Sequence, residues 1–174
     1  DPKFVEDVFS KYKFDVVCHL AAQAGVRYSI DHPDVYIRSN VVGTQNLFET
    51  MRRHGVERMV FASTSSVYGN NTELPFKESV SADRPLTIYA ASKRAGELIA
   101  HSYNSIHGIQ TTCLRFFTVY GPWGRPDMAL FIFTEKMKRG ESIEIFNNGE
   151  HRRDFTYVDD IASGFVSAVD TPLG

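Results

Sequence analysis

Tyr89 and Lys93 stand four residues apart in the run Tyr89-Ala90-Ala91-Ser92-Lys93. On a helix that spacing puts both side chains on one face. A phenol ionises near ~10 and is a poor base at neutral pH. A cation held one turn away favours the phenolate, and lowering the phenol by a few pH units takes roughly 4 kcal/mol of differential interaction. So tuned, it suits removal of a proton from an alcohol as hydride leaves. Upstream, Ala62-Ser63-Thr64-Ser65-Ser66-Val67-Tyr68-Gly69 offers hydroxyls able to bond the reacting oxygen and relay its proton. His19-Leu20-Ala21-Ala22 supplies small residues that let a flat ligand approach the backbone, and Leu114-Arg115-Phe116-Phe117-Thr118-Val119-Tyr120-Gly121-Pro122 ends a further apolar run. Taken alone, Tyr-x-x-x-Lys also describes a core tyrosine followed by a solvated lysine; its company gives it weight.

The periodicity predicts the elements that must position these groups. Phe4, Val5, Val8, Phe9 and Tyr12 recur at helical spacing over residues 2–13. A buried strand over 15–20 opens into a loop at Ala21-Ala22. Pro33 starts a helix that runs to Gly55, a second strand spans 57–62, and a third helix covers 87–107 before Gly108. A third strand spans 110–116. Strands separated by helices of this length argue for a doubly wound, Rossmann-like α/β fold with a parallel sheet, its three loops at one edge where such sheets bind ligands. Beyond Gly121 a loop framed by Pro122 and Pro126 leads to a helix over 127–139. A strand over 142–146, a turn at Asn147-Asn148-Gly149 and a strand over 155–158 follow. The expected division is 1–121, the carboxyl-terminal part of a dinucleotide-binding domain, and 122–174, part of a smaller substrate-binding region.

The 174 residues include 19 basic and 21 acidic side chains, for a net charge of −2, with 43% apolar residues. No electrostatic footprint for nucleic acid or an anionic membrane follows, and no apolar stretch reaches the ~20 residues of a membrane span. Cys18 and Cys113 both fall in apolar strand-like runs and read as two buried thiols, which points to a reducing, cytoplasmic setting. No metal is expected, because neither thiol has a Cys or His neighbour at ligand spacing. His32, His54, His101, His107 and His151 read as helix ends or surface, His19 as shaping the loop after its strand, and Trp123 as packing. A complete dinucleotide-binding fold needs a glycine-rich first βα turn to meet the pyrophosphate. No Gly-x-x-Gly-x-x-Gly occurs, so the chain reads as an internal segment of a longer protein with weak NAD affinity by itself.

The combination of motifs resembles the extended short-chain dehydrogenase/reductase family, and within it the NAD-dependent epimerases and dehydratases of nucleotide sugars. The resemblance covers essentially the whole chain. It is most specific at residues 19–27 (HLAAQAGVR), 64–69 (TSSVYG), 89–93 (YAASK), 115–122 (RFFTVYGP), 124–129 (GRPDMA) and 153–161 (RDFTYVDDI). The last two look most like the UDP-glucuronate 4-epimerase branch. The resemblance implies Tyr89 as catalytic base, Lys93 as the residue that lowers its pKa and binds the nicotinamide ribose, and Thr64 as partner to the sugar 4-hydroxyl. It implies an NAD site lined by Leu20, Ala21, Ala22, Ala62, Ser63 and Phe116 and ordered by Asn40, a UDP-sugar substrate near Thr118, and Arg153 on the UDP pyrophosphate.

Ser65 and Ser66 bear on the branch. Family dehydratases carry Asp-Glu after the Thr, and the decarboxylases carry Glu at the second of these positions; this chain has a carboxylate at neither. A 4-keto uronic acid is a β-keto acid that loses carbon dioxide readily, so an epimerase must hold its carboxylate still. Arg125, Arg27, Ser65 and Ser66 are the candidate anchors. The resemblance further implies a homodimer through helices 33–55 and 87–107. Another epimerase, decarboxylase or dehydratase of the family, or an inert fragment or NAD-binding module, stays open at this point.

Overall fold

The computed structural model describes residues 1–71, 73–150 and 152–171; His151 and residues 172–174 lie outside them. Asp1 begins the first helix as its amino-terminal cap, its carboxylate accepting from the Lys3 and Phe4 amides at 2.9 and 3.3 Å. This helix, α1 (Pro2–Lys11), leads to strand β1 (Val17–His19). Two single-turn helices follow, α2 (Tyr28–Asp31) and α3 (Pro33–Tyr36), then a π-helical turn (Ile37–Val42) and α4 (Gly43–His54). Strand β2 (Arg58–Thr64) ends in a 3₁₀ turn (Ser65–Tyr68). Helix α5 (Ile88–His107), capped by the Thr87 hydroxyl on the Ala90 amide, precedes β3 (Gln110–Phe116). Gly55 and Gly108 stop α4 and α5 with φ of 68° and 71°, the left-handed cap that a side chain disfavours.

The three strands form a parallel sheet in the order β1-β2-β3. His19 pairs with Phe61 and Thr64 with Phe116, so the carboxyl ends of the strands come out at one edge. Phe9 of α1, Phe48 and Met51 of α4 and Ala100 of α5 bury the core with Met59 and Phe61 on one face of the sheet. These faces supply the main stabilisation, at roughly 25 cal/mol per Å² of apolar area removed from water. His19 joins β1 to α4 by sharing a 2.9 Å hydrogen bond with the Thr44 hydroxyl.

A further strand pair is built from β4 (Thr118–Tyr120) and β5 (Phe155–Tyr157), also parallel, with helix α6 (Ala129–Lys138) between them in sequence. Helix α7 (Val158–Asp170) completes the chain. The molecule divides into two units: residues 1–116 together with the chain from Phe165, and residues 117–164. Within the first unit, the Arg58 guanidinium donates to the Val169 carbonyl of α7 at 2.5 Å.

Four expectations change. The strand over 142–146 does not form. Its alternating residues find no partner among the described residues, and an isolated strand has nothing to satisfy its amides. The helix over 33–55 is broken by the π-helical turn. Cys18 is exposed: it lies on the edge strand of the sheet and alternates with Val17, which packs against the core, and the buried His19. Trp123, at φ 62°, is fully exposed where packing was expected.

Burial, and secondarily the nearby Lys93 charge, pull the His19 imidazole from 6.5 down to about 4. A native pKa below the unfolded one means the unfolded chain binds the extra proton between those values, so stability falls as pH drops from about 6.5 toward 4. Unfolding free energies from urea denaturation at pH 7 and pH 5 should differ by about 2 kcal/mol on this account, and H19Q should flatten most of that difference.

Candidate active site

Tyr89 is the second residue of α5, half-buried and edge-on to Tyr36 at a centroid distance of 6.1 Å. Lys93 follows one turn later and is 3% exposed, its Nζ 4.4 Å from the centroid of the Phe61 ring. Among the described residues no oxygen accepts a hydrogen bond from that ammonium. Burial lowers its pKa from 10.5 to about 8, with Glu97 opposing the fall in part.

Asn40 holds the first turn of α5 against the loop after β1. Its Oδ1 accepts from the Gln23 amide at 2.8 Å, and its Nδ2 donates to the Gln23 carbonyl at 3.0 Å and to Ser92 Oγ at 2.9 Å. Ser92 in turn donates to the Tyr89 carbonyl at 2.8 Å. The π-helical turn carries Asn40, 2% exposed, into this position, consistent with the tendency of such turns to occur at functional sites. One residue turn earlier, the Tyr36 hydroxyl closes the same loop on the Gly25 carbonyl at 2.6 Å. The loop residues Leu20, Ala21 and Ala22 are left exposed at the sheet edge, as is Arg27, just before α2.

Thr64 ends β2, and its hydroxyl accepts from the Ser66 amide at 3.2 Å, capping the 3₁₀ turn that holds Ser65 and Ser66 half-buried. Ala62 is buried, and Phe116 lies beside Thr64 at the end of β3. The first unit therefore brings together, along one sheet edge, the elements carrying Tyr89, Lys93, Thr64, Asn40 and Phe116. Ser63, expected to line the NAD site, donates its hydroxyl to the Glu97 carboxylate at 2.5 Å, on the opposite face from Thr64.

Glu97 was not among the expected site residues. It is 7% exposed and accepts from Arg115 at 3.0 and 2.8 Å and from Arg94 at 2.8 Å, besides Ser63. Burial pushes the carboxyl up, but the hydrogen bonds from Arg115, Ser63 and Arg94 outweigh it and hold Glu97 below the usual carboxylate range. Arg115 also lies over the Tyr68 ring at 4.8 Å. The signal was present in the sequence: a carboxylate one turn beyond Lys93, and an arginine inside the apolar run of β3.

In the second unit, Thr118, Arg125 and Arg153 line one cavity of about 600 Å³, whose walls are otherwise largely apolar and include Met128, Phe131 and Phe155. Asp127 accepts from Arg125 Nε at 2.9 Å and Nη2 at 2.5 Å, and the guanidinium holds that carboxyl below its ordinary value. Gly124 is required here, since a Cβ would stand 2.5 Å from the Phe131 ring. Among the described residues no group of three or more His, Cys, Asp or Glu comes together to hold a metal, and no helix is long and apolar enough to cross a membrane.

The model for the NAD dependent epimerase/dehydratase family matches residues 1–173. The chain is 51% identical over 175 residues to UDP-glucuronate 4-epimerase 4 of Arabidopsis thaliana, covering 98% of this chain and 40% of that protein. Among solved structures it matches a UDP-glucuronic acid 4-epimerase from Bacillus cereus, in complex with UDP-glucuronic acid and NAD, with TM-score 0.89 and 36% identity over 97% of this chain and 53% of the other. A UDP-glucose 4-epimerase from Thermotoga maritima with UDP-glucose gives TM-score 0.93 and 34% identity, over 99% and 57%. The chain spans about half the length of these proteins, or less.

Removing the carboxylate with E97A leaves two arginines facing each other in the interior. The expected cost is about 3 kcal/mol of unfolding free energy, read by urea denaturation, with E97Q recovering part of it. An E97A protein as stable as the parent would show that the cluster is solvated and dispensable.

Proposed function

The chain belongs to the NAD dependent epimerase/dehydratase family, and from that premise we propose that the protein is an NAD-dependent nucleotide-sugar 4-epimerase that interconverts UDP-glucuronate and UDP-galacturonate. The observation that carries this reading is the Lys93 ammonium, buried one turn beyond Tyr89 with no oxygen acceptor among the described residues. A ribose diol supplies the acceptors such a cation lacks, so the site fits a nicotinamide nucleotide. When bound, NAD supplies the reversible acceptor for the hydrogen on sugar C4, so the cycle ends with no net oxidation.

Tyr89 takes the proton of the 4-hydroxyl at its phenolic oxygen, with the Lys93 charge favouring the phenolate. The Thr64 hydroxyl bonds the same oxygen and relays the proton. Asn40, through Ser92 and Gln23, holds the first turn of α5 and the loop of Leu20, Ala21 and Ala22 in fixed relation. Ala62, Ser63 and Phe116 contribute to the nicotinamide side, Ser63 through its backbone. In the second unit, Arg153 suits the UDP pyrophosphate and Thr118 the sugar. Arg125, fixed at the cavity wall by Asp127, suits the uronate carboxylate. Ser65, Ser66 and Arg27 are further hydrogen-bond donors for that group. Holding the carboxylate keeps the 4-keto sugar from losing carbon dioxide before it is reduced on its other face. The relatives named as UDP-glucuronate 4-epimerases support this choice of sugar. A cytoplasmic setting and a homodimer through helices 33–55 and 87–107 are part of the same proposal.

The test uses the protein at the length of its relatives, incubated with UDP-glucuronate and NAD. UDP-galacturonate should accumulate to an equilibrium mixture, and Y89F should lower kcat by roughly 10²–10⁴-fold. Turnover of UDP-glucose with none of the acid would overturn the carboxylate assignment, and a pentose product would place the chain with the decarboxylases.

A further inference from the structure

An ammonium taken out of water loses its hydration and titrates downward unless something in the interior replaces it. Lys93 is in that situation, and the groups around it are few. From α5, Tyr89 stands one turn before it and Glu97 one turn after, but the Glu97 carboxylate already serves Arg115, Arg94 and Ser63. From β1 comes His19, kept neutral at pH 7 by burial. From β3 come Arg115, paired with Glu97, and Cys113, whose thiol burial pushes up to about 12, so it carries no charge either. From β2 comes Phe61, 1% exposed, with Lys93 Nζ 4.4 Å from its ring centroid. That distance is well inside the ~6 Å over which a ring face attracts a cation, and with Lys93 3% exposed the contact is largely shielded from solvent.

The ring sits there because of a gap in the helix. Three residues beyond Lys93, a Cβ on Gly96 would stand 2.6 Å from Phe61 Cζ and 3.0 Å from Cε1. Any side chain at 96 would push the ring away from the α5 backbone and out from beneath the ammonium. The same ring packs in the core with Met59 and Phe48 and tilts against His19 at 5.4 Å, so its other contacts hold it in place.

We infer that Phe61 is a positioning residue for Lys93: its ring face keeps the buried ammonium charged and centred, and Gly96 is the vacancy that lets the ring reach it. The catalytic consequence rests on the function proposed above; the charge on Lys93 does not.

The experiment replaces Phe61 with mono-, di- and trifluorophenylalanine in the full-length protein, which keeps the shape of the ring while draining its face of negative charge. The readout is the Lys93 titration, followed by NMR of ¹³Cε-labelled lysine and assigned by its disappearance in K93R. The Lys93 pKa should fall stepwise along the series, by about one pH unit at trifluorophenylalanine, and fall in G96A as well. A pKa unchanged across the fluorinated series overturns the inference and leaves Phe61 as packing. The alkaline limb of kcat/KM for UDP-glucuronate should move with the titration. If the titration shifts while that limb stays fixed, the role of Phe61 stands and the catalytic role given to Lys93 fails.

Discussion

A cation without an oxygen partner among the described residues is buried in the first unit, against the ring of Phe61. Burying Lys93 costs its hydration; an aromatic face and a neighbouring, already committed carboxylate oppose that cost, and two titratable groups beside it stay neutral and add no repulsion. Every one of these comes from a different part of the chain: β2, α5, β1 and β3. The ammonium is therefore a point on which three strands and a helix converge, and its charge state reports whether they have assembled. Because no oxygen among the described residues accepts from its three donors, the site retains hydrogen-bonding capacity that a fully satisfied interior would have lost.

Two polar clamps keep that arrangement aligned, one on each side of α5. Asn40 ties the start of the helix to the loop after β1, with both hydrogen bonds on Gln23 running through the backbone and thus indifferent to the side chain there. Glu97 ties the helix to β2 and β3 through Ser63 and Arg115, the residues immediately before Thr64 and Phe116. A carboxylate with two guanidiniums in the interior is a poor source of net stability but a strict geometric constraint, because removing either partner strands a charge. Apolar packing could press helix on sheet with equal force, yet it would tolerate small slides that these bonds do not.

Much of the fold was legible because its signals are local. Pro33, Gly55 and Gly108 mark helix ends by backbone chemistry alone, and the apolar runs of β2 and β3 need no knowledge of their neighbours. The placement of Tyr89 and Lys93 one turn apart on one helix was legible for the same reason, since four residues of helix set their spacing. What depended on partners was not. Residues 142–146 read as a strand in sequence, but they pair with no strand among the described residues. Cys18 looks buried from its apolar neighbours, and only the coverage of its sheet face decides otherwise. The π-helical turn at Asn40 has no signature in the local sequence, and the bonds Asn40 makes reach residues 17 and 52 positions away. Glu97 was missed because its meaning lies in Arg115, eighteen residues and one strand away.

The two adjacent hydroxyls at the end of β2 carry one more implication. Successive side chains on a strand face opposite ways, so Ser63 points beneath α5 while Thr64 remains at the edge. Sliding β2 by a single position would exchange them, turning the threonine beneath α5 and lifting the serine away from Glu97. An apolar strand such as Met59-Val60-Phe61-Ala62 has little of its own to forbid that error, since most of its side chains would find grease on either side. The short bond from Ser63 to a charged acceptor makes the misaligned state leave a buried carboxylate one donor short. It works as a proofreading contact for the sheet, exacting the correct alignment at the very residue before Thr64.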